Sequence, residues 1–155
     1  GPVSDIAFDQ LIGAGLVRRV MAAWVGNVMM GSAYAYRRAV ERRTPRAIEV
    51  VDFSNFTLAQ SLHAAAIGAP FLPTRSALGS DIVARNPYLS PIVNPLGGEP
   101  LLAVRPLHPD VAIVHVQRAD PHGNGILWGS LGITADAVRA SHTAMGPAER
   151  FAQAK

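Results

Sequence analysis

The stretch "AIEVVDFSNFTLAQSLHAAAIG", residues 47–68, decides how this chain is to be read. Ala47 to Phe53 is a short apolar run containing Ile48, Val50 and Val51, the length and composition of a mostly buried strand. Ser54 then stands where a helix N-cap belongs. Phe56, Leu58, Leu62 and Ala65 or Ala66 follow at near-helical spacing, and Gly68 stops the pattern. A buried strand feeding directly into a helix is the building block of a parallel sheet covered on both faces.

The same alternation precedes this stretch. "GLVRRVMAAWVGN", Gly15 to Asn27, carries a β-compatible segment that ends at Gly26-Asn27. "SAYAYRRAVERR" follows with helix formers, and Pro45 marks its end. The middle differs, with eight prolines from Pro70 to Pro109 and a Gly97-Gly98 pair, so helices there must be short. "LGSDIVARN" is read as a turn or two of helix stopped by Asn86-Pro87. "SPIVNP" and "EPLLAVRP" are read as short strands forming a hairpin across "NPLGGE". "PDVAIVHV" returns as a buried strand, and "VHVQRADPHGNGILWG", Val114 to Gly129, as strand, glycine-rich turn, strand. "ITADAVRASHTAM" is a final helix interrupted by Gly146-Pro147. The expected fold is α/β, a mostly parallel open sheet with helices on both faces, with residues 1–155 forming a single domain.

Composition narrows the function classes. Hydrophobic residues make up 49% of the chain and charged ones 16%, a globular balance. Its apolar runs fall far short of the roughly 18 residues that cross a bilayer, so no membrane span is expected. "GPVSDIAFDQ" lacks a basic segment followed by an apolar one, so no signal peptide is read. Gly1-Pro2 are either a cleavage scar or native. The absence of cysteine excludes disulfides, thiolate metal sites and a cysteine nucleophile, and fits a cytoplasmic setting. The net charge of +3 raises nucleic acid as a partner. The arginines cluster only at Arg37, Arg38, Arg42, Arg43 and Arg46, where Glu41 lies one turn after Arg37 and can pair with it. Tyr34 and Tyr36 do not interleave with them. The cluster is therefore read as a solvated helix end, with no nucleic-acid partner.

In open parallel sheets, ligands gather beyond the carboxyl ends of the strands. That rule selects Gly26-Asn27, Asp52 to Asn55, and Gln117 to Asn124. Asp52 stands just before a helix N-terminus, where Ser54 and the first free amides suit an anion or a carbonyl oxygen. Spacing leaves open whether Asp52 does chemistry or helps to cap the helix. His115, Asp120 and His122 lack the compact spacing of a metal site, and His115 is read as a hydrogen-bonded core histidine. Neither a Gly-Lys-Ser/Thr phosphate loop nor a Gly-x-Gly-x-x-Gly fingerprint occurs; "GAG" at 13–15 precedes a strand instead of opening a helix. Ser80 in "LGSDI" lacks the Gly-x-Ser-x-Gly elbow of a hydrolase. "ADPHGNG" offers several positions tolerant of positive φ and reads locally as a turn.

At "HPDVAIVHVQRADPHGNGILWG" the chain resembles the alpha (A) subunit of family I CoA-transferases, the glutaconate CoA-transferase group. Three further blocks fit in order: "DIAFDQLIGAGLVRRVMAAWVGN", "IEVVDFSNFTLAQSLHAAAIGAPFLPTRSALGSD" and the P-x-x-GEPLLAV stretch. The resemblance implies the fold of the CoA-transferase and ribose-5-phosphate isomerase-like group. Members carry a Gly-rich strand-turn-helix segment upstream of the first block, so the chain is expected to be the central part of a subunit, incomplete at both ends.

The activity implied is transfer of CoA between carboxylic acids, with a CoA thioester as substrate, no bound cofactor, and a partner beta subunit in a hetero-oligomer. The nucleophilic glutamate belongs to that partner, since Glu41, Glu49, Glu99 and Glu149 all lack its Glu-Asn-Gly or Glu-x-Gly setting. Asn27, Ser54, Asn55, Arg75, Gly79 and Ser80 would line the acyl or CoA site. Arg75 would either pair with a substrate carboxylate or hold its loop through backbone carbonyls. Asp120, Gly123 and Asn124 would shape a turn near a cleft shared with the partner. A related branch hydrolyses a ring carbon–carbon bond in CoA thioesters from steroid breakdown, using an alpha-subunit carboxylate as base in a Glu-Glu-x-Ser-like segment. "EVVDFSN" places Asp52, one methylene shorter, at that position. A third reading is a non-catalytic remnant that scaffolds an assembly.

Overall fold

A computed structural model of the chain describes residues 6–26 and 31–151. In chain order the elements are α1 (Ile6–Gly13), β1 (Arg19–Ala22), α2 (Tyr34–Arg42), β2 (Glu49–Asp52), α3 (Asn55–Ala66), β3 (Leu72–Thr74) and α4 (Asp81–Arg85). They continue with β4 (Leu89–Ile92), β5 (Leu101–Val104), β6 (Val111–Ile113), β7 (Val116–Ala119), β8 (Gly125–Ile126), α5 (Thr134–Ala140), β9 (Thr143–Met145) and β10 (Ala148–Phe151). The α/β class read from the sequence holds. The chain divides into two compact units, Gly1–Leu58 with Pro73–Val104, and Ala59–Leu72 with Arg105–Lys155.

In the first unit, β1 and β2 pair in parallel, with Val20 opposite Val50 and Ala22 opposite Asp52. Strand side chains alternate, so Val20 and Ala22 share one face. Val20 joins Ile12, Ala35 and Ala39 in a buried cluster, on which Ala22, Val25 and Tyr36 pack. That face is covered by α1 and α2. Val51 and Phe53 sit at the alternate positions. Phe53 is 2% exposed, with its ring centroid 5.7 Å from that of Tyr88.

α2 begins at a residue type that cannot cap it, since its N-cap position is Ala33. The cap comes from α1. The Asp9 carboxylate accepts the Ala35 amide at 3.0 Å and the Tyr36 amide at 2.8 Å. Two orphan donors of the first turn are thereby satisfied, and the negative charge meets the positive helix end. The other end closes before Pro45, as the sequence suggests, with Arg43 in the left-handed region and its amide bonded to the Arg38 carbonyl.

α3 follows its sequence reading closely. Ser54 Oγ accepts the Thr57 amide at 3.1 Å, while the Ser54 amide donates to Thr57 Oγ1 at 3.0 Å. This is a capping box with threonine in the place of glutamate. At the far end, Gly68 takes φ +69; its amide reaches the Ala65 carbonyl and that of Ala69 reaches Ala64. Those two bonds form a Schellman stop. The expected hairpin is also present. β4 and β5 are antiparallel, Leu89 opposite Val104, and β3 flanks β5 on its other edge. Leu102 and Val104 are fully buried.

In the second unit, β6 pairs in parallel with β9, and β7 in parallel with β10; β7 also pairs antiparallel with β8. α5 and the C-terminal part of α3 pack through Ala137, Ala140, Leu62 and Ala65, with Leu107 and Ile133 against them. Two expectations are corrected here. "PDVAIVHV" is neither continuous nor buried: it breaks at Val114 and His115, and Val111 and Ile113 are 46% and 79% exposed. The break lies opposite Gly146-Pro147. A Cβ at position 146 would lie 1.4 Å from the Val114 carbonyl oxygen, and Pro147 has no amide to donate to a ladder. The final helix is also shorter than read. It ends at Ala140, and Thr143–Met145 joins the sheet as β9, because pairing with β6 overrides a local helical pattern. Among the described residues no helix is long and apolar enough to cross a membrane.

Candidate active site

The first unit brings its chemistry to the carboxyl ends of β1 and β2. Asp52 closes β2 in register with Ala22, which places it on the face that α2 covers. It is exposed, and no described residue hydrogen-bonds its carboxylate. Its backbone carbonyl accepts the Asn86 Nδ2 amide at 2.7 Å. Asn86 is 3% exposed, and its Oδ1 accepts the Tyr88 amide at 2.8 Å, so one buried side chain fixes the end of the strand. The sequence marks Asn86 only as a helix stop before Pro87. Its role depends on a contact between residues 34 positions apart.

Ser54 and Asn55 continue from Asp52 into α3. The Ser54 hydroxyl is engaged with Thr57, and Asn55 is exposed at the first turn. Arg75 has a partner that neither sequence reading named. Its guanidinium pairs with the Glu99 carboxylate, both side chains being exposed. Gly79 takes φ +76 in open space, and Ser80 donates its hydroxyl to the Ala77 carbonyl at 2.7 Å. Both lie in the loop entering α4, a helix that contacts β2. Asn27 lies outside the described residues.

A cavity of about 600 Å³ sits where β1 ends and α2 begins. Its walls include Trp24, Gly26, Ser32, Tyr36, Arg37 and Glu41. Gly26 is needed for the close return of the Trp24 ring, because a Cβ there would lie 2.5 Å from the indole. Burial raises the Tyr36 phenol above its ordinary range, and the negative charge of Asp52 adds to the shift. The hydroxyl thus stays protonated and able to donate, with Asp52 close enough to be felt. Arg37 Nε meets Glu41 Oε1 at 2.8 Å, the one-turn pairing read from the sequence. Of the strand-end positions selected from the sequence, Gly26 lines this cavity, while Trp24 and Tyr36 had no motif to mark them.

All four glutamates are engaged by basic side chains. Glu41 pairs with Arg37, Glu49 with Arg19 at 2.7 Å, Glu99 with Arg75, and Glu149 with His115 at 3.1 Å. The last pair corrects the reading of His115 as a core histidine, since its side chain is exposed.

In the second unit, the Asp120 carboxylate is consumed by its own turn. Oδ1 accepts the His122 and Asn124 amides at 2.9 and 2.8 Å, and Oδ2 accepts Asn124 Nδ2 at 2.7 Å. These bonds, the Asn124 side chain first, hold the carboxyl below its usual range. Gly123 supplies the left-handed position, with φ +87. Among the described residues no group of three His, Cys, Asp or Glu side chains converges as metal ligands would.

The sequence profile of the Coenzyme A transferase family matches residues 4–153. The chain belongs to the coenzyme A transferase family. The chain is 42% identical over 137 residues to the A subunit of 3-oxoadipate CoA-transferase from Pseudomonas knackmussii, covering 88% of this chain and 49% of that one. It is 36% identical over 126 residues to the cholesterol ring-cleaving hydrolase IpdA subunit of Mycobacterium tuberculosis, covering 77% and 42% of the two. It is similar in fold to the crystal structure of glutaconate coenzyme A-transferase from Acidaminococcus fermentans, with a TM-score of 0.84 at 27% identity, over 94% of this chain and 50% of the other. The chain thus spans half or less of these relatives.

Proposed function

We propose that the chain is the alpha-subunit part of a heteromeric CoA-transferase that moves coenzyme A between carboxylic acids, with the attacking glutamate on a partner beta subunit. The observation that carries this division of labour is that each of its own glutamates is exposed and engaged by a neighbour, three by arginines and Glu149 by the His115 ring. A carboxylate nucleophile is instead expected in a desolvated site with amide donors for the oxyanion. Family membership and the 3-oxoadipate CoA-transferase relative supply the reaction class.

In this reading a partner carboxylate oxygen attacks the thioester carbonyl and the CoA thiolate leaves, giving a mixed anhydride. The thiolate then attacks the glutamyl carbonyl and releases the carboxylic acid, leaving a glutamyl-CoA thioester. This chain contributes the strand-end face with Asp52 and the residues of the acyl or CoA site: Asn27, Ser54, Asn55, Arg75, Gly79 and Ser80. A substrate carboxylate would have to displace Glu99 to reach Arg75. The Asp120, Gly123 and Asn124 turn borders the cleft shared with the partner. The cysteine-free composition fits action in the cytoplasm.

The test is CoA exchange between two carboxylic acids by the chain purified with its partner, together with a borohydride-reducible thioester on the partner. Absence of both would reject the transferase.

A second reading is favoured by the likeness to the ring-cleaving hydrolase and by the carboxylate of Asp52, which no described residue hydrogen-bonds. Asp52 would then act as the general base on a CoA thioester that keeps its CoA while a ring opens. Asp52→Asn would abolish that step, and full ring opening by the variant would exclude it.

A further inference from the structure

The peptide that joins Asp52 to Phe53 is held from both sides. Its N–H, that of Phe53, donates to the Ala22 carbonyl at the end of β1 at 3.0 Å. In a trans peptide the C=O points the opposite way, here toward an edge of β2 that no described strand pairs. There the Asn86 side chain takes the place of a strand, with Nδ2 donating to the Asp52 carbonyl at 2.7 Å. Its Oδ1 accepts the Tyr88 amide at 2.8 Å. Only the nitrogen of the side-chain amide can donate and only its oxygen accept, so the two partners together fix one orientation of the group. Asn86 is 3% exposed, which leaves water little access to replace either bond.

The segment that carries Asn86 is itself stiff. Pro87 restricts the backbone between Asn86 and Tyr88, and the Leu89 amide returns to the Asn86 carbonyl at 3.1 Å. The Tyr88 ring packs on that of Phe53. Upstream, Asn86 follows directly on α4, whose entry carries Gly79 and Ser80. One side chain therefore links the loop into α4 with the strand end that carries Asp52.

From this we infer that Asn86 is a positioning residue of the site. Acting through the Asp52 carbonyl, it sets the peptide plane from which the Asp52 side chain and the Ser54 cap depart. The inference rests on the reading that this strand end takes part in the reaction, and it adds the residue that aligns it. A purely structural asparagine would cost stability when replaced. A positioning one costs turnover as well, because small displacements of reacting groups slow a reaction steeply.

Asn86→Asp separates the two bonds, since a carboxylate keeps an acceptor for the Tyr88 amide and loses the donor to Asp52. Asn86→Ala drops both without adding a charge. Tyr88→Leu is the control, loosening the same segment while leaving the Asn86 side chain in place. All three are assayed in complex with the beta partner, well below their thermal midpoints, for CoA exchange and for ring opening. Both Asn86 variants are expected to lower kcat roughly tenfold or more with KM changed less than about threefold, and Tyr88→Leu to leave kcat within about twofold. In the full chain, nitrogen relaxation dispersion at the Phe53 and Ser54 amides is expected in the Asn86 variants and not in Tyr88→Leu. A kcat in the Asn86 variants within about twofold of the unaltered complex overturns the inference, as does an equal fall in Tyr88→Leu. If the unaltered complex performs neither reaction, the functional reading fails and the dispersion decides: its absence from the Asn86 variants rejects the positioning role, and its presence upholds it.

Discussion

Asp52 and Asp120 make an instructive pair. Each is an aspartate at or just past the carboxyl end of a strand, entering a turn, one in each compact unit. At Asp120 the carboxylate is folded back onto its own loop and accepts three hydrogen bonds from His122 and Asn124. At Asp52 the capping work is done by Ser54 and Thr57, and the strand end is held by Asn86 through the backbone carbonyl. The carboxylate of Asp52 is hydrogen-bonded by none of the described residues. A charged group whose structural duties are taken by its neighbours is available for chemistry, whereas one that closes a turn is not.

The largest effect that would sharpen this contrast is on turnover. In the ring-opening reading, Asp52→Asn is expected to lower ring opening by about 100-fold or more, the range for loss of a proton-transferring group, with no drop in thermal midpoint. A stability loss comparable to a cap deletion would place Asp52 in the same class as Asp120. Next comes the anchor. Asn86→Ala leaves the Tyr88 amide and the Asp52 carbonyl without their partner and is expected to cost about 2–3 kcal/mol, read by denaturant unfolding. Ser54→Ala removes one side of the capping box and should cost about 1 kcal/mol by the same measurement. A cost near zero would mean that Asp52 caps α3 after all.

The smallest effect is a pH dependence of the Asp120 turn. Its carboxyl is held below the usual range in the folded turn, so the stabilisation is present above the unfolded carboxylate value of about 3.9 and is lost as pH falls below it through the folded value. Protection of the Asn124 amide, taken relative to the intrinsic exchange rate at each pH, should fall across that acidic window in the native chain. Asp120→Asn, which does not titrate, should remove that pH dependence. An unchanged profile would break the assignment of the turn to the charged carboxylate.

Several local features were legible because their causes are local. Ser54 and Gly68 mark the two ends of α3, Pro45 lies just past the end of α2, and Asn86-Pro87 stops α4, since caps and proline act within a few residues. The β4–β5 hairpin was legible from paired apolar runs around Gly97-Gly98. The final helix was not. Its pattern from Ile133 to Met145 is helical by periodicity, and only β6, some thirty residues earlier in the chain, draws Thr143–Met145 into a strand. The break at Val114 and His115 was hidden for the same reason, since its cause is Gly146-Pro147 on the paired strand.

The sequence by itself determined the α/β class, the order of most elements and the strand ends where polar residues gather, because periodicity, caps and turn formers are written in neighbouring residues. It also carried the four ordered blocks that the family profile spans. Only the tertiary structure decided which charges are free. That Asp9 caps α2, that Arg75 takes Glu99, and that every glutamate has a basic neighbour while no described residue hydrogen-bonds the Asp52 carboxylate depend mostly on contacts between residues far apart in the chain. Charge neutralisation is a property of distances in space, and the line of residues does not record it.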